Sequence, residues 1–194
     1  NGLWYIAPDQ LAQIYELALL KGVQVHTHTN GDEATQLSIE TLEAALRKAP
    51  NFDHRFTLQH CQLADEAQFR KMGRLGMCVN LFANHHFYWG DEHFGLTVGP
   101  ERAERMNACR TALDQGVPMT VHSDAPVTPL GPLFTAWAAV NRITASGRVQ
   151  GESQKISVAE ALYAVTMGAA ITMLPSNDMC LANKRMYALI SLSL

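Results

Sequence analysis

The chain has 194 residues, of which 47% are apolar and 17% charged. That mixture supplies a hydrophobic core and excludes a disordered tail or a collagen-like chain. A net charge of -3 lacks the basic surplus that selects for nucleic acid or an anionic membrane surface. No apolar run approaches the roughly 20 residues of a membrane-spanning helix.

In chain order, apolar residues recur at helical spacing over residues 9–20, through Leu11, Ile14, Tyr15 and Ala18, and Gly22 stops the run. Residues 23–28 make a short strand. Residues 32–48 make a second helix with a stripe of Ala34, Leu37, Leu42, Ala45 and Leu46, ended by Pro50. A strand over 55–60, a helix over 65–75 and a strand over 77–81 follow. Residues 82–99 form a long loop rich in aromatics and histidine, either a pocket wall or a segment packed on the rim. A helix over 100–115 opens on Pro100, where a missing N–H costs nothing. A strand over 117–123 and helices over 133–146 and 157–168 complete the pattern, the last with Ser157 and Glu160 at capping-box spacing.

Strands alternating with helices mean a parallel sheet with crossover helices. Four strands suffice for half of an eight-stranded barrel or for a small open sheet. The chain starts at Asn1 and changes character from about Ile171, so the sequence reads as part of something longer: residues 1–170 as a partial domain and 171–194 as an atypical tail. The four cysteines, Cys61, Cys78, Cys109 and Cys180, have no paired spacing. Reduced thiols in a cytoplasmic protein are the expectation.

Each strand runs into residues that chemistry uses. The first ends in His26-Thr27-His28-Thr29-Asn30-Gly31-Asp32, the second in Gln59-His60-Cys61-Gln62. The third leads to Asn80 and Asn84-His85-His86, and the fourth to His122-Ser123-Asp124-Ala125-Pro126. Ligands bind at the C-terminal strand ends of parallel α/β folds. Imidazole and carboxylate together suit Zn²⁺ or a similar divalent ion. Alternation puts His26 and His28 on one face, and His122 and Asp124 likewise. Asp32 reads first as a helix N-cap. A nucleophilic Cys61 beside His60 is disfavoured, since adjacent strand residues point to opposite faces. No glycine-rich phosphate loop follows a strand.

These segments, with His85-His86-Phe87-Tyr88-Trp89-Gly90-Asp91 and Ala138-Ala139-Val140-Asn141-Arg142, resemble in order the amidohydrolase superfamily. The likeness is greatest to amidohydrolase family 3, which includes N-substituted formamide deformylases. The resemblance implies the C-terminal half, strands 5–8, of a metal-dependent hydrolase (β/α)8 TIM barrel. It implies that His28, His60 and Asp124 bind the metal, most readily zinc, that Asp124 is the catalytic proton shuttle, and that His85 faces the substrate. The strand-1 His-x-His pair of the superfamily is not matched, and His26 is set aside as a stand-in for it. The implied activity is hydrolysis of a non-peptide carbon–nitrogen bond in an amide, formamide or cyclic amide. The alternative is a barrel fragment without catalysis, lacking the N-terminal metal ligands. The expected partners are a small-molecule amide-type substrate and a homo-oligomer covering the open sheet edges, with neither nucleic acid nor membrane.

Overall fold

The computed structural model describes residues 4–173 and the backbone of residues 187–192. Strand and helix alternate from α1 (Pro8–Lys21) to β1 (Gln24–Thr29), α2 (Asp32–Lys48), β2 (Thr57–His60), α3 (Glu66–Leu75) and β3 (Cys78–Leu81). Then come α4 (His85–Glu92), α5 (Pro100–Arg105), α6 (Cys109–Asp114), β4 (Met119–Val121), α7 (Pro132–Asn141), α8 (Val158–Val165) and α9 (Met167–Met173). Gly22 ends α1 in the left-handed conformation that its missing Cβ permits, donating to the Ala18 and Leu19 carbonyls. Ser157 and Glu160 form the expected capping box on α8, and Asp65 and Gln68 form a second on α3.

The four strands between residues 24 and 121 are all parallel, in the order β4-β3-β2-β1. A fifth strand, β5 (Tyr187–Leu192), pairs parallel with β1 on its other edge. The expected tail thus contributes a strand, while residues 174–186 and 193–194, Cys180 among them, lie outside the described residues. Among those described, β4 has no further strand beside it, so one of the two anticipated open edges stands. Helices α1, α2, α3 and α6 follow one another along the sheet. The core between layers holds Leu11, Tyr15, Ile39, Leu42, Phe56, Leu58, Phe69, Met72 and Val79, each at most 2% exposed. No described helix is long and apolar enough to cross a membrane.

Four expected elements differ. The helix expected over 133–146 stops at Asn141, where Arg142 takes the left-handed conformation at φ 53°. Residues 82–99 are a helix, α4, running into a π-helical turn (His93–Thr97). The expected helix over 100–115 breaks into α5 and α6, because Asn107 sits at φ 48° and Arg142 takes the carbonyls of Met106 and Asn107. The expected helix over 157–168 breaks at Thr166, whose ψ of -88° ends α8 before α9 begins. Arg55 and Gln24 donate to the Ile171 and Thr172 carbonyls, tying α9 to the starting ends of β2 and β1.

Candidate active site

The strands end level with one another. Thr29 pairs with His60, His60 with Leu81, and Leu81 with Val121, so one rung closes all four at the same edge. On β1, Thr27 bonds the Tyr15 hydroxyl of α1 at 2.7 Å, which fixes that face as the helix-covered one. Gln24, His26 and His28 therefore share the opposite face, as alternation predicts.

His28 and His60 meet there, ring centroids 4.4 Å apart and edge to face. His60 lies beyond the flat part of its strand: it has φ 62° and Cys61 φ 46°, so the chain turns sharply and brings the imidazole to the strand-end edge. His122 stands 4.9 Å from the His60 ring, and His85 stands 6.0 Å from it. Phe82 is the common backing, stacked on His122 at 5.2 Å and 4.1 Å from His85. Trp89 closes the far side of His85 at 5.8 Å, whereas Phe87 turns to Phe134 and Trp137 on α7. Residues 82–99 thus serve as both site wall and rim packing.

Asp124 does not follow the alternation expected of it. β4 ends at Val121, and Asp124 sits at φ 54° in the turn beyond. Burial raises its carboxyl above the usual range, and the nearby His28 works against that rise. Asp32 is also displaced from its expected role. Gly31 is the N-cap of α2, Asp32 is its first residue, and the Asp32 carboxylate pairs with Arg102. Cys61, Cys78 and Cys109 are buried free thiols, and burial pushes Cys61 up to about 12, leaving no thiolate for attack.

Polar neighbours that had a strand-end place in the sequence but no role hold these groups, and Asn107, Thr128 and His93 join them in the structure. Beneath the site, Asn80 donates to Gln59 at 2.6 Å and Gln59 donates to His26 Nδ1 at 2.7 Å. His26 is also hydrogen-bonded to the backbone of Thr172, so it belongs to the floor of the site. On the rim, Asn30 donates to Gln62, and Gln62 donates to His93, whose ring lies 5.7 Å from His85. Asn107 donates to His85 Nδ1 at 3.4 Å. Asn84, at the start of α4, donates to Thr128, and Thr128 donates to the Ser123 carbonyl, latching His85's helix to the end of β4. Position just after a strand end was the available signal for Asn30 and Gln62. Asn107 gave none, since it lay inside a predicted helix.

The donor types suit a divalent cation, and the set is incomplete. Among the described residues no group of three or more His, Cys, Asp or Glu side chains converges as a cation site requires. His28 and His60 provide a pair in ring contact, with Asp124 alongside.

Burial makes the His60 and His122 imidazoles poor bases. It holds His60 down to about 3 and His122 down to about 4, with the neighbouring imidazoles adding to the effect. Unfolded, each ring titrates near 6.5. The unfolded chain therefore binds more protons between that value and the folded one. Stability is full above pH 6.5 and falls as pH drops, by about 1.4 kcal/mol per pH unit for each ring excluded from protonation. Urea midpoints should decline steeply from pH 7 to pH 5, and equal midpoints would refute this burial of neutral histidine.

Known proteins similar to this chain identify its family. Residues 2–174 match the model of the Amidohydrolase family. The chain is 28% identical over 165 residues to the N-substituted formamide deformylase of Arthrobacter pascens, covering 82% of this chain and 30% of that protein. It is 27% identical over 171 residues to Protein LONG AFTER FAR-RED 3 of Arabidopsis thaliana, covering 87% and 29% respectively. An uncharacterized metal-dependent hydrolase from Pyrococcus furiosus superposes with a TM-score of 0.71 at 23% identity, covering 87% of this chain and 33% of that one. The chain thus spans about a third of the length of the proteins it matches, and the four parallel strands are part of a (β/α)8 TIM barrel. With that fold, a matched segment running from residue 2 to residue 174 and histidines at successive strand ends, the chain belongs to the amidohydrolase family.

Proposed function

We propose that this chain carries the strand 5–8 share of an active site that hydrolyses non-peptide carbon–nitrogen bonds in amides, formamides or cyclic amides. The observation that supports it is the gathering of His28, His60 and His85 at one strand-end edge of an amidohydrolase-family chain, with Asp124 near His28. His28, His60 and Asp124 are assigned as ligands of a divalent metal, zinc by donor chemistry, with the remaining donors supplied from outside the chain. Such an ion, when bound, polarises a carbonyl and makes water acidic enough to ionise near neutral pH.

Asp124 accepts the proton of the attacking water and passes it to the departing nitrogen. Its half-buried position and raised pKa suit both duties, because a carboxyl nearer neutrality gives its proton back more readily. His85 is neutral through burial. It takes the Asn107 amide at Nδ1, so its proton resides on Nε2, a donor for the oxygen of the substrate.

The test is zinc uptake by the purified chain, read with its oligomeric state. We expect less than one zinc per chain at micromolar metal, and at least about tenfold weaker uptake in His28→Ala and in His60→Ala. Wild-type uptake in either variant would remove that residue from the ligand set. The absence of a convergent donor set among the described residues favours a second reading, a barrel segment without turnover of its own. Hydrolysis of an N-substituted formamide by the isolated chain would exclude it.

A further inference from the structure

The turn that carries Asp124 is held by a residue that no catalytic or ligand role absorbs. His122 Nδ1 accepts the backbone N–H of Asp124 at 3.1 Å. A side-chain acceptor bonded to the N–H two residues on is the arrangement of an Asx turn, built here on imidazole. The bond matters because Asp124 is a non-glycine residue at φ 54°, a region that L-residues enter at a cost. Without the acceptor, the Asp124 N–H loses its partner and the left-handed turn loses its local support.

The imidazole itself is fixed from several sides. The backbone N–H of His122 donates to the Leu81 carbonyl at 3.0 Å, extending the ladder one step past β4 and fixing the Cα that carries the ring. Its ring lies flat on Phe82, at 23° between planes, and meets the His60 ring edge-on. His60 in turn touches His28. One side chain therefore joins the backbone of the carboxylate on strand-end four to the imidazole pair on strand-ends one and two.

We infer that His122 is a positioning residue: through Nδ1 it holds the backbone turn that places the Asp124 carboxylate near His28, the ring partner of His60. It makes no claim on substrate or metal. The inference rests on the reading of Asp124 as a site residue, and its test separates the two.

The test compares the wild-type chain with His122→Phe and His122→Asn. Phenylalanine keeps a flat ring against Phe82 and lacks the acceptor. Asparagine lacks the ring and restores an acceptor for the same N–H. Three quantities are measured in each: hydrogen exchange of the Asp124 amide against that of Val121, zinc uptake, and Tm. In His122→Phe the Asp124 amide should exchange about tenfold faster while Val121 is unchanged, and zinc uptake should weaken. In His122→Asn both should return toward wild type, even though the lost ring lowers Tm. A purely structural role would lower Tm in both variants and leave the relative exchange of Asp124 untouched, which overturns the inference. If neither variant folds, the wild-type chain decides. A through-hydrogen-bond coupling between the Asp124 amide nitrogen and His122 Nδ1 supports the inference, and its absence overturns it. No zinc uptake in any form would sink the ligand assignment alone, since amide exchange and coupling report on His122 without metal.

Discussion

Arg142→Leu should unfold the chain or bring it to the brink. Arg142 is fully buried, and its guanidinium donates to Gln150 O at 2.7 Å, Met106 O at 2.8 Å and Asn107 O at 3.0 Å. These bonds join three stretches of irregular backbone: the break between α5 and α6, the C-cap of α7, and the strand-like return that ends at Gln150. Asn107 O also accepts the Cys109 N–H, so leucine would strip the two other carbonyls and leave the third a single donor. A buried acceptor without a partner costs about 1–3 kcal/mol. With the lost packing added, the variant should be less stable by at least about 3 kcal/mol, a large share of the roughly 5–15 kcal/mol of a typical domain. Lysine would not rescue it, since one ammonium cannot reproduce the planar fork. Burial pushes the guanidinium down to about 10, so it stays charged throughout the neutral range. Denaturant midpoints measure the effect, and a wild-type midpoint in Arg142→Leu would show that the three carbonyls find water instead. The same change should loosen Asn107, and with it the partner of His85 Nδ1.

Asp124→Asn should remove turnover and leave the fold intact. In a protein that unites this chain with the remaining barrel strands, kcat on an N-substituted formamide should fall by about 10²–10⁴, the usual worth of a positioned general acid–base group. The amide is nearly isosteric and keeps the backbone N–H that His122 accepts, so Tm should hardly move. KM should change little, because Asp124 is assigned to proton transfer and ligation, with His85 toward the substrate. Undiminished kcat would take Asp124 out of the mechanism. A collapse of both Tm and kcat would instead assign it a structural role in its left-handed turn.

Local regularities carried most of the architecture into the sequence. The residue 32–48 helix was legible to the residue, because its apolar stripe repeats cleanly between Gly31 and Pro50. All four strands between residues 24 and 121 were legible too, because parallel strands buried on both faces are short and sharply bounded. The misreadings share a cause. Residues 100–115 and 157–168 have continuous helical periodicity, and their breaks come from distant partners: Arg142 acting on Met106 and Asn107, and the packing of Gly168 on Met119 O. Residues 82–99 looked like a loop because their histidines and aromatics face the site and α7 at once, which leaves no simple stripe.

What the sequence alone determined is that histidines and a carboxylate follow successive strands, and that His26 and His28 share one face. Both follow from chain order and a two-residue period, which are local properties. The tertiary structure decided which of these residues meet. Strand register levels Thr29, His60, Leu81 and Val121 into one rung, and left-handed turns at His60 and Asp124 carry the chain beyond alternation. Neither is encoded by spacing: register is set by how whole strands pack, and a positive φ at a non-glycine residue persists only where neighbours such as His122 hold it.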